Sequence, residues 1–195
     1  MTPSIQTERA PADAARTVRA DARSEADKVS YATMPISLGF VLVARSDKGV
    51  CAVLLGDDAN DLADDLRSRI RTAKLEDGDE ACVYIAATVA AHVEDPSVPL
   101  DFTLDAQGTP FQKRVWKALR AIPAGMTISY GELARQVGAP ESVRAVASAC
   151  GANPIALAVP CHRVVSKDGS LGGYRWGVER KRTLLDREKA EDAAV

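Results

Sequence analysis

Chemistry in this 195-residue chain is concentrated in Pro160-Cys161-His162-Arg163-Val164-Val165, which follows the apolar run Ile155 to Val159. Cysteine attacks as its thiolate, so it needs a base or positive surroundings. His162 and Arg163 are side chains of those two types. Neighbouring side chains in an extended segment point apart, so adjacency alone does not join Cys161 to His162. A bridging water, or a turn after Pro160, would connect them. A buried structural thiol beside a chance histidine fits the same residues. The four cysteines, Cys51, Cys82, Cys150 and Cys161, are spaced by 31, 68 and 11 residues, with no CxxC pair. With only His92 and His162 to help them, no metal site is expected, and no cofactor motif is present.

The elements that must position this segment are readable in the second half. Thr109 suits a helix N-cap with Pro110 at the first helical position, and Phe111, Val115, Ala118 and Leu119 form an apolar stripe. Pro123-Ala124-Gly125 is expected to end that helix. Ser129 then caps a short helix over 130–137 that stops at Gly138. Pro140 opens another, running to Cys150 and stopping at Gly151. The last two helices read equally as a helix-turn-helix or a plain αα-hairpin. In the second of them Ala145, Ala147, Ser148 and Ala149 are small, and Arg144 is the one cation. Such a surface suits a nucleic-acid groove, and a solvent-facing alanine-rich helix would look the same.

The first half has a different character. Residues 1–35 carry few large apolar side chains and read as a flexible extension, with a weak helix over 10–28. Leu38 to Ala44 and Val50 to Leu55 flank Arg45-Ser46-Asp47-Lys48-Gly49 and predict a β-hairpin. Leu62, Leu66 and Ile70 recur every four residues and predict a helix. A second helix is expected over 80–93 and a third strand over 100–104. The result is a small α/β unit over 36–105, then a linker at 105–108. No apolar run reaches the roughly 18 residues of a membrane span, and no secretory signal is visible, so a cytoplasmic protein with reduced thiols is expected. Composition is ordinary globular, with 46% apolar and 27% charged residues and a net charge of −2. That average hides an asymmetry: residues 1–108 hold 11 basic and 19 acidic side chains, residues 109–195 hold 14 and 8. Such an imbalance hints at a polyanionic partner for the second half.

The segment 160–165 resembles the active-site signature of the O6-alkylguanine-DNA alkyltransferases. Phe111-Gln112, Val115-Trp116, Ile128-Ser129-Tyr130-Gly131, Arg144-Ala145-Val146 and Asn153-Pro154 are similar to the same family. So are Gly173-Tyr174-Arg175-Trp176-Gly177-Val178 and Arg180-Lys181, most of all to bacterial members that carry this unit as the C-terminal half of a longer protein. Val50-Cys51-Ala52-Val53-Leu54-Leu55-Gly56-Asp57-Asp58 extends the similarity into the first half, so that it covers roughly residues 30–190. Those longer members also carry a metal-thiolate domain and a regulatory DNA-binding domain. Residues 1–35 are short and free of cysteine, so neither is expected here.

The resemblance implies a ribonuclease H-like α/β domain over 36–105. A mainly α, winged-helix-like domain with a helix-turn-helix follows over 109–190, holding the DNA-binding surface and the active site. It implies a single-use DNA repair transferase that moves the O6-alkyl group of guanine, mainly methyl, from double-stranded DNA to Cys161. O4-methylthymine would be a secondary substrate. The nucleotide would be flipped out through the minor groove, with Arg144 filling the vacated stack and Ala145 and Ser148 lying close to the groove. Tyr130 would press on the target phosphate and protonate the leaving guanine. His162 would take the thiol proton through a water, oriented by Glu188. Asn153 would hold the turn before the active-site segment. The carbonyls of Val159 and Cys161 would read the guanine amine, with Pro160, Tyr174 and Trp176 bordering the pocket. Trp176 would narrow that pocket against benzyl groups, although it would also suit a core position. The implied protein uses no metal or cofactor, has no obligate protein partner and is a monomer.

Overall fold

Valine and leucine crowd two short segments, 41–43 and 53–55, and these pair as neighbouring strands of the larger sheet. A computed structural model describes residues 27–192. Strand β1 (Lys28–Ile36), β2 (Gly39–Ser46) and β3 (Gly49–Gly56) form an antiparallel meander. Successive strand residues face opposite sides of a sheet, yet Val41, Leu42, Val43 and Ala44 are all fully buried. Both faces of β2 are therefore covered. Helix α1 (Ala59–Arg69) begins at Asp58, whose carboxylate accepts from the amides of Asn60 and Asp61. It leads to β4 (Lys74–Asp77), which pairs parallel to β1. The sheet order is β3-β2-β1-β4. Helix α2 (Glu80–Glu94) is capped by Asp79 and packs on β1 and β2.

Helix α3 (Pro110–Leu119) carries a complete capping box: Thr109 Oγ1 accepts from Gln112 N, and Gln112 Oε1 accepts from Thr109 N. Strand β5 (Ile128–Ser129) runs straight into α4 (Tyr130–Gln136), where Ser129 and Glu132 form a second capping box. Helix α5 (Val143–Gly151) packs on α3 and α4, and Trp116 Nε1 donates to the Ala149 carbonyl at 2.8 Å. Strand β6 (Val164–Val165) pairs parallel to β5, and α6 (Val178–Asp192) closes the described chain.

Several expectations change. The extension assigned to 1–35 is a strand from Lys28 onward, because Val29 buries completely against the sheet. The rest of that extension, including nearly all of the helix expected over 10–28, lies outside the described residues. The third strand expected over 100–104 reduces to a single bridge from Leu104 to Val50. The exposed edge of β3 is shared: residues 103–105 bond to Val50, and residues 154–156 bond to Val53. Neither segment gains a full ladder. The helix expected from Pro140 starts at Val143 instead. Pro140 and Glu141 form a turn closed by Ser142 N donating to the Ala139 carbonyl, which suits proline's fixed φ. Helix α3 ends at Leu119, before Pro123-Ala124-Gly125. Strand β4 and helix α6 were not foreseen.

Gly49 ends the β2–β3 turn at φ +137°, and a Cβ there would lie 2.4 Å from the Thr103 carbonyl oxygen. Gly49→Ala should therefore destabilise the protein by about 2 kcal/mol. Urea unfolding checks this, and an unchanged midpoint would contradict the close approach.

Candidate active site

Two tight turns deliver Cys161. Leu157 has φ +67°, and Ala158 N donates to the Ala156 carbonyl, so the chain makes a strained γ-turn there. Pro160 sits at φ −78°, ψ 65°, and Cys161 N donates to the Val159 carbonyl at 2.8 Å. That is the inverse γ-turn, for which proline's ring is pre-set. A single 3-10 turn, Cys161–Arg163, follows and enters β6.

Asn153 is fully buried and holds these turns together. Its Nδ2 donates to the Val159 carbonyl at 2.8 Å and to Cys161 Sγ at 3.3 Å, while its Oδ1 accepts from Ile155 N. The Val159 carbonyl is thus already engaged by two donors.

His162 and Glu188 are 1% and 3% exposed and meet at 2.8 Å between Nε2 and Oε1. A carboxylate at Nε2 fixes that nitrogen as the donor and leaves Nδ1 as the free base. Nδ1 is enclosed and has no hydrogen-bond partner among the described residues. No direct hydrogen bond joins it to Cys161. Arg163 completes the array: its Nε and Nη2 donate to Glu188, and its Nη1 donates to the Ile122 carbonyl. Gly125 N also approaches Glu188 Oε2 at 3.3 Å. Lys181 is fully buried, and its Nζ donates to the carbonyls of Val164 and Leu171.

The electrostatics follow from this enclosure. Burial pushes the Cys161 thiol up to about 11, opposed by the Asn153 hydrogen bond and the Lys181 charge. Burial also lowers His162, against the pull of Glu188. Burial would raise Glu188, but hydrogen bonds from His162 and Arg163 hold it at about 2. At neutral pH the site therefore rests as a thiol, a neutral imidazole and a carboxylate. Tyr130, at the first position of α4, is half-buried, and its hydroxyl is raised by burial and by nearby Cys150 and Cys161. It stays a phenol and can donate.

The structure brings Cys161, His162, Glu188 and Asn153 into one contact network. Tyr174 joins it edge-on, 6.4 Å from His162 between ring centres, and Trp176 packs edge-on against Tyr174 at 5.2 Å. Trp176 is buried. Arg144, Ala145 and Ser148 stand apart from this network on the exposed side of α5, while Val146, Ala149 and Cys150 face inward. Sequence reasoning missed the anchoring roles of Arg163 and Lys181. Arg163 and Lys181 lie in segments already singled out, but their partners are distant in sequence. All four cysteines are buried, and no three His, Cys, Asp or Glu side chains among the described residues are grouped to hold a metal. No helix among them is long and apolar enough to cross a membrane.

Glu188 has a pH signature. Its carboxyl is lowered from 4.5 to about 2, so its pairing contributes full stability above pH 4.5 and loses it as the pH falls through about 2. Glu188→Gln should remove that acid-limb slope. Parallel unfolding curves for the variant and the parent between those pH values would contradict the assignment.

In sequence and fold the chain is similar to known proteins. Residues 110–190 match the family described as 6-O-methylguanine DNA methyltransferase, DNA binding domain. The bifunctional transcriptional activator/DNA repair enzyme Ada of Escherichia coli is 49% identical over 160 residues, covering 82% of this chain and 45% of that protein. A methylated-DNA–protein-cysteine methyltransferase of Mycobacterium tuberculosis is 57% identical over 94 residues, covering 48% of this chain and 57% of the relative. The chain thus spans about half the length of these relatives. Among solved structures, Mycobacterium tuberculosis OGT in complex with DNA superposes with a TM-score of 0.68 at 36% identity, covering 84% of this chain and 93% of that one. With similarity of that extent in both sequence and fold, the chain belongs to the O6-methylguanine-DNA methyltransferase family.

Proposed function

We propose that this protein repairs DNA by moving the O6-alkyl group of guanine, mainly methyl, irreversibly onto Cys161. The observation that supports this most strongly is the enclosed Asn153–Cys161 and His162–Glu188 array, close to an α5 whose exposed side carries Arg144, Ala145 and Ser148. The substrate is double-stranded DNA containing O6-alkylguanine, with O4-methylthymine a secondary substrate. The protein acts in the cytoplasm as a monomer, with no obligate protein partner.

Cys161 sulfur attacks the alkyl carbon in line. The S–C bond forms as the C–O6 bond breaks, and the pair of electrons leaves on guanine. The thiol proton passes to Nδ1 of His162 through a water. Glu188 stabilises the imidazolium, and Tyr130 donates to the departing guanine. Asn153 and Lys181 stabilise the developing thiolate. The Cys161 carbonyl, fixed by Val164 N, reads the guanine amine, whereas the Val159 carbonyl, expected to share that task, already accepts from Asn153 Nδ2 and Cys161 N and holds the turn instead. Pro160 and the edge-on pair Tyr174 and Trp176 wall the pocket, with Trp176 favouring methyl over benzyl. The thioether product has no return route, so each molecule acts once.

On this reading α4 and α5 form the helix-turn-helix. Arg144 enters the minor groove and fills the stack vacated by the flipped nucleotide, while Ala145 and Ser148 allow close approach. Residues 36–105, together with β1, form a ribonuclease H-like scaffold, supported by the β3-β2-β1-β4 order with β4 parallel to β1. Residues 109–190 form the winged-helix-like reactive domain, supported by the short β5–β6 pair beside α3, α4 and α5.

Intact mass after incubation with methylated duplex DNA tests the transfer. One increment of about 14 Da on Cys161, absent in Cys161→Ala, is the expected result. DNA binding without a mass change would leave a binding module, and repeated turnover of an ester or amide would leave a thiol hydrolase. Arg144→Ala should slow reaction with duplex lesions by about tenfold and with single-stranded ones much less. Equal losses on both substrates would contradict the stack-filling role.

A further inference from the structure

Helix α6 presents two pairs of charged side chains seven residues apart, which is two helical turns. Lys181 and Glu188 point to the active-site segment. Arg180 and Arg187 reach the sheet layer instead. Arg187 donates to the Val93 carbonyl and the Ser37 hydroxyl and lies 3.3 Å from Glu94. Arg180 does something different, because one of its partners is the backbone of Trp176, the proposed pocket wall. Its Nε donates to the Leu38 carbonyl at 2.8 Å and its Nη2 to Asp57 at 2.5 Å, while its Nη1 donates to the Trp176 carbonyl at 2.8 Å.

The guanidinium sits in a socket made for it. A Cβ on Gly39, at φ +104°, would lie 3.1 Å from Nη2 and 2.3 Å from the Gly56 carbonyl oxygen. Gly177, at φ +98°, leaves the other side open, with its Cβ position 3.6 Å from Nη1. Two glycines in left-handed conformations thus flank one arginine whose planar head has fixed donor directions. Arg180 is largely buried at 14% side-chain exposure, although Asp57 is 93% exposed. The rigidity comes from the two carbonyl bonds and the socket more than from the ion pair, since an exposed ion-pair partner contributes little.

We propose that Arg180 is the positioning residue through which the scaffold sheet sets the shape of the alkyl pocket. It ties the Trp176 backbone to the β1–β2 turn and to the residue following β3. Trp176 packs on Tyr174, and Tyr174 packs on His162. A displaced Trp176 therefore widens the pocket and loosens the aromatic wall beside the base. This rests on the alkyl-transfer reading for its substrate class, but the tether itself does not.

Amide hydrogen exchange on the unreacted full chain reads the tether directly. Arg180→Ala should speed exchange of the peptide covering 171–178 by about tenfold, while Arg187→Ala, which releases the same helix from the same layer, should change it by less than about twofold. Asp57→Ala removes one leg only and should give a smaller change in the same direction, which keeps the test available if Arg180→Ala folds poorly. Unchanged exchange in both Arg180→Ala and Asp57→Ala overturns the tether. The second readout is the ratio of inactivation rates by O6-benzylguanine and by O6-methylguanine in duplex DNA. That ratio should rise about fivefold or more in Arg180→Ala, toward the value for Trp176→Gly, and stay within about twofold in Arg187→Ala. Faster exchange with an unchanged ratio overturns the specificity role. A parent protein that gains no mass on Cys161 defeats the proposed activity and leaves the exchange result standing.

Discussion

A carboxylate at 3% exposure remains an anion only where donors replace its water. Glu188 has His162, Arg163 and, at longer range, Gly125. This one group couples three segments distant in sequence: the loop 122–125, the turn 161–163 and helix α6. Arg163 also commits its Nη1 to the Ile122 carbonyl, which ties that loop into the same array. Removing one partner of such a buried pair leaves an uncompensated charge, at a cost of about 3–5 kcal/mol. The C-terminal half is therefore built around an anion that must not lose its donors, and the imidazole tautomer follows from that constraint.

The tautomer in turn decides how the thiol works. With Nε2–H committed to Glu188, the lone pair on Nδ1 is the basic site. A thiol held near 11 beside a lowered imidazole does not form a resting thiolate–imidazolium pair. On the proposed function its nucleophilic form arises as the proton leaves, when the Asn153 hydrogen bond and the Lys181 charge gain their full value against developing negative charge. Oxidation of cysteine also follows thiolate character and exposure. A buried neutral thiol is protected from it, which suits a residue that, on the proposed function, is used once.

Short-range chemistry was the legible part. The capping boxes at Thr109 and Ser129, the hairpin of β2 and β3 and the four-residue repeat of Leu62 and Leu66 each lie within a few residues of their cause. Cys161 and His162, the proposed nucleophile and base, were contiguous, and resemblance supplied Glu188. The missed elements have non-local causes. Strand β4 reads Lys-Leu-Glu-Asp, an exposed edge with one large apolar side chain, and only pairing with β1 makes it a strand. Helix α6 has its charged residues on faces that bind two different layers, so its pattern does not read as a simple apolar stripe. Lys181 looks like a surface cation until the carbonyls of Val164 and Leu171 are in place around it.

The strained turn before Cys161 explains why the reactive segment is sewn to the sheet. A non-glycine residue at φ +67° costs about 1–3 kcal/mol and persists only where its surroundings leave no alternative. Upstream of Leu157, Val53 N donates to the Pro154 carbonyl and Ala156 N donates to the Val53 carbonyl, so β3 fixes the entry to the turn. Downstream, Asn153 grips Val159 and Cys161, so the exit is fixed from the same entry segment. Leu157 itself is buried and cannot swing outward without losing its packing. The edge of the sheet, the asparagine and the buried leucine over-determine one conformation, and that conformation sets where the sulfur stands.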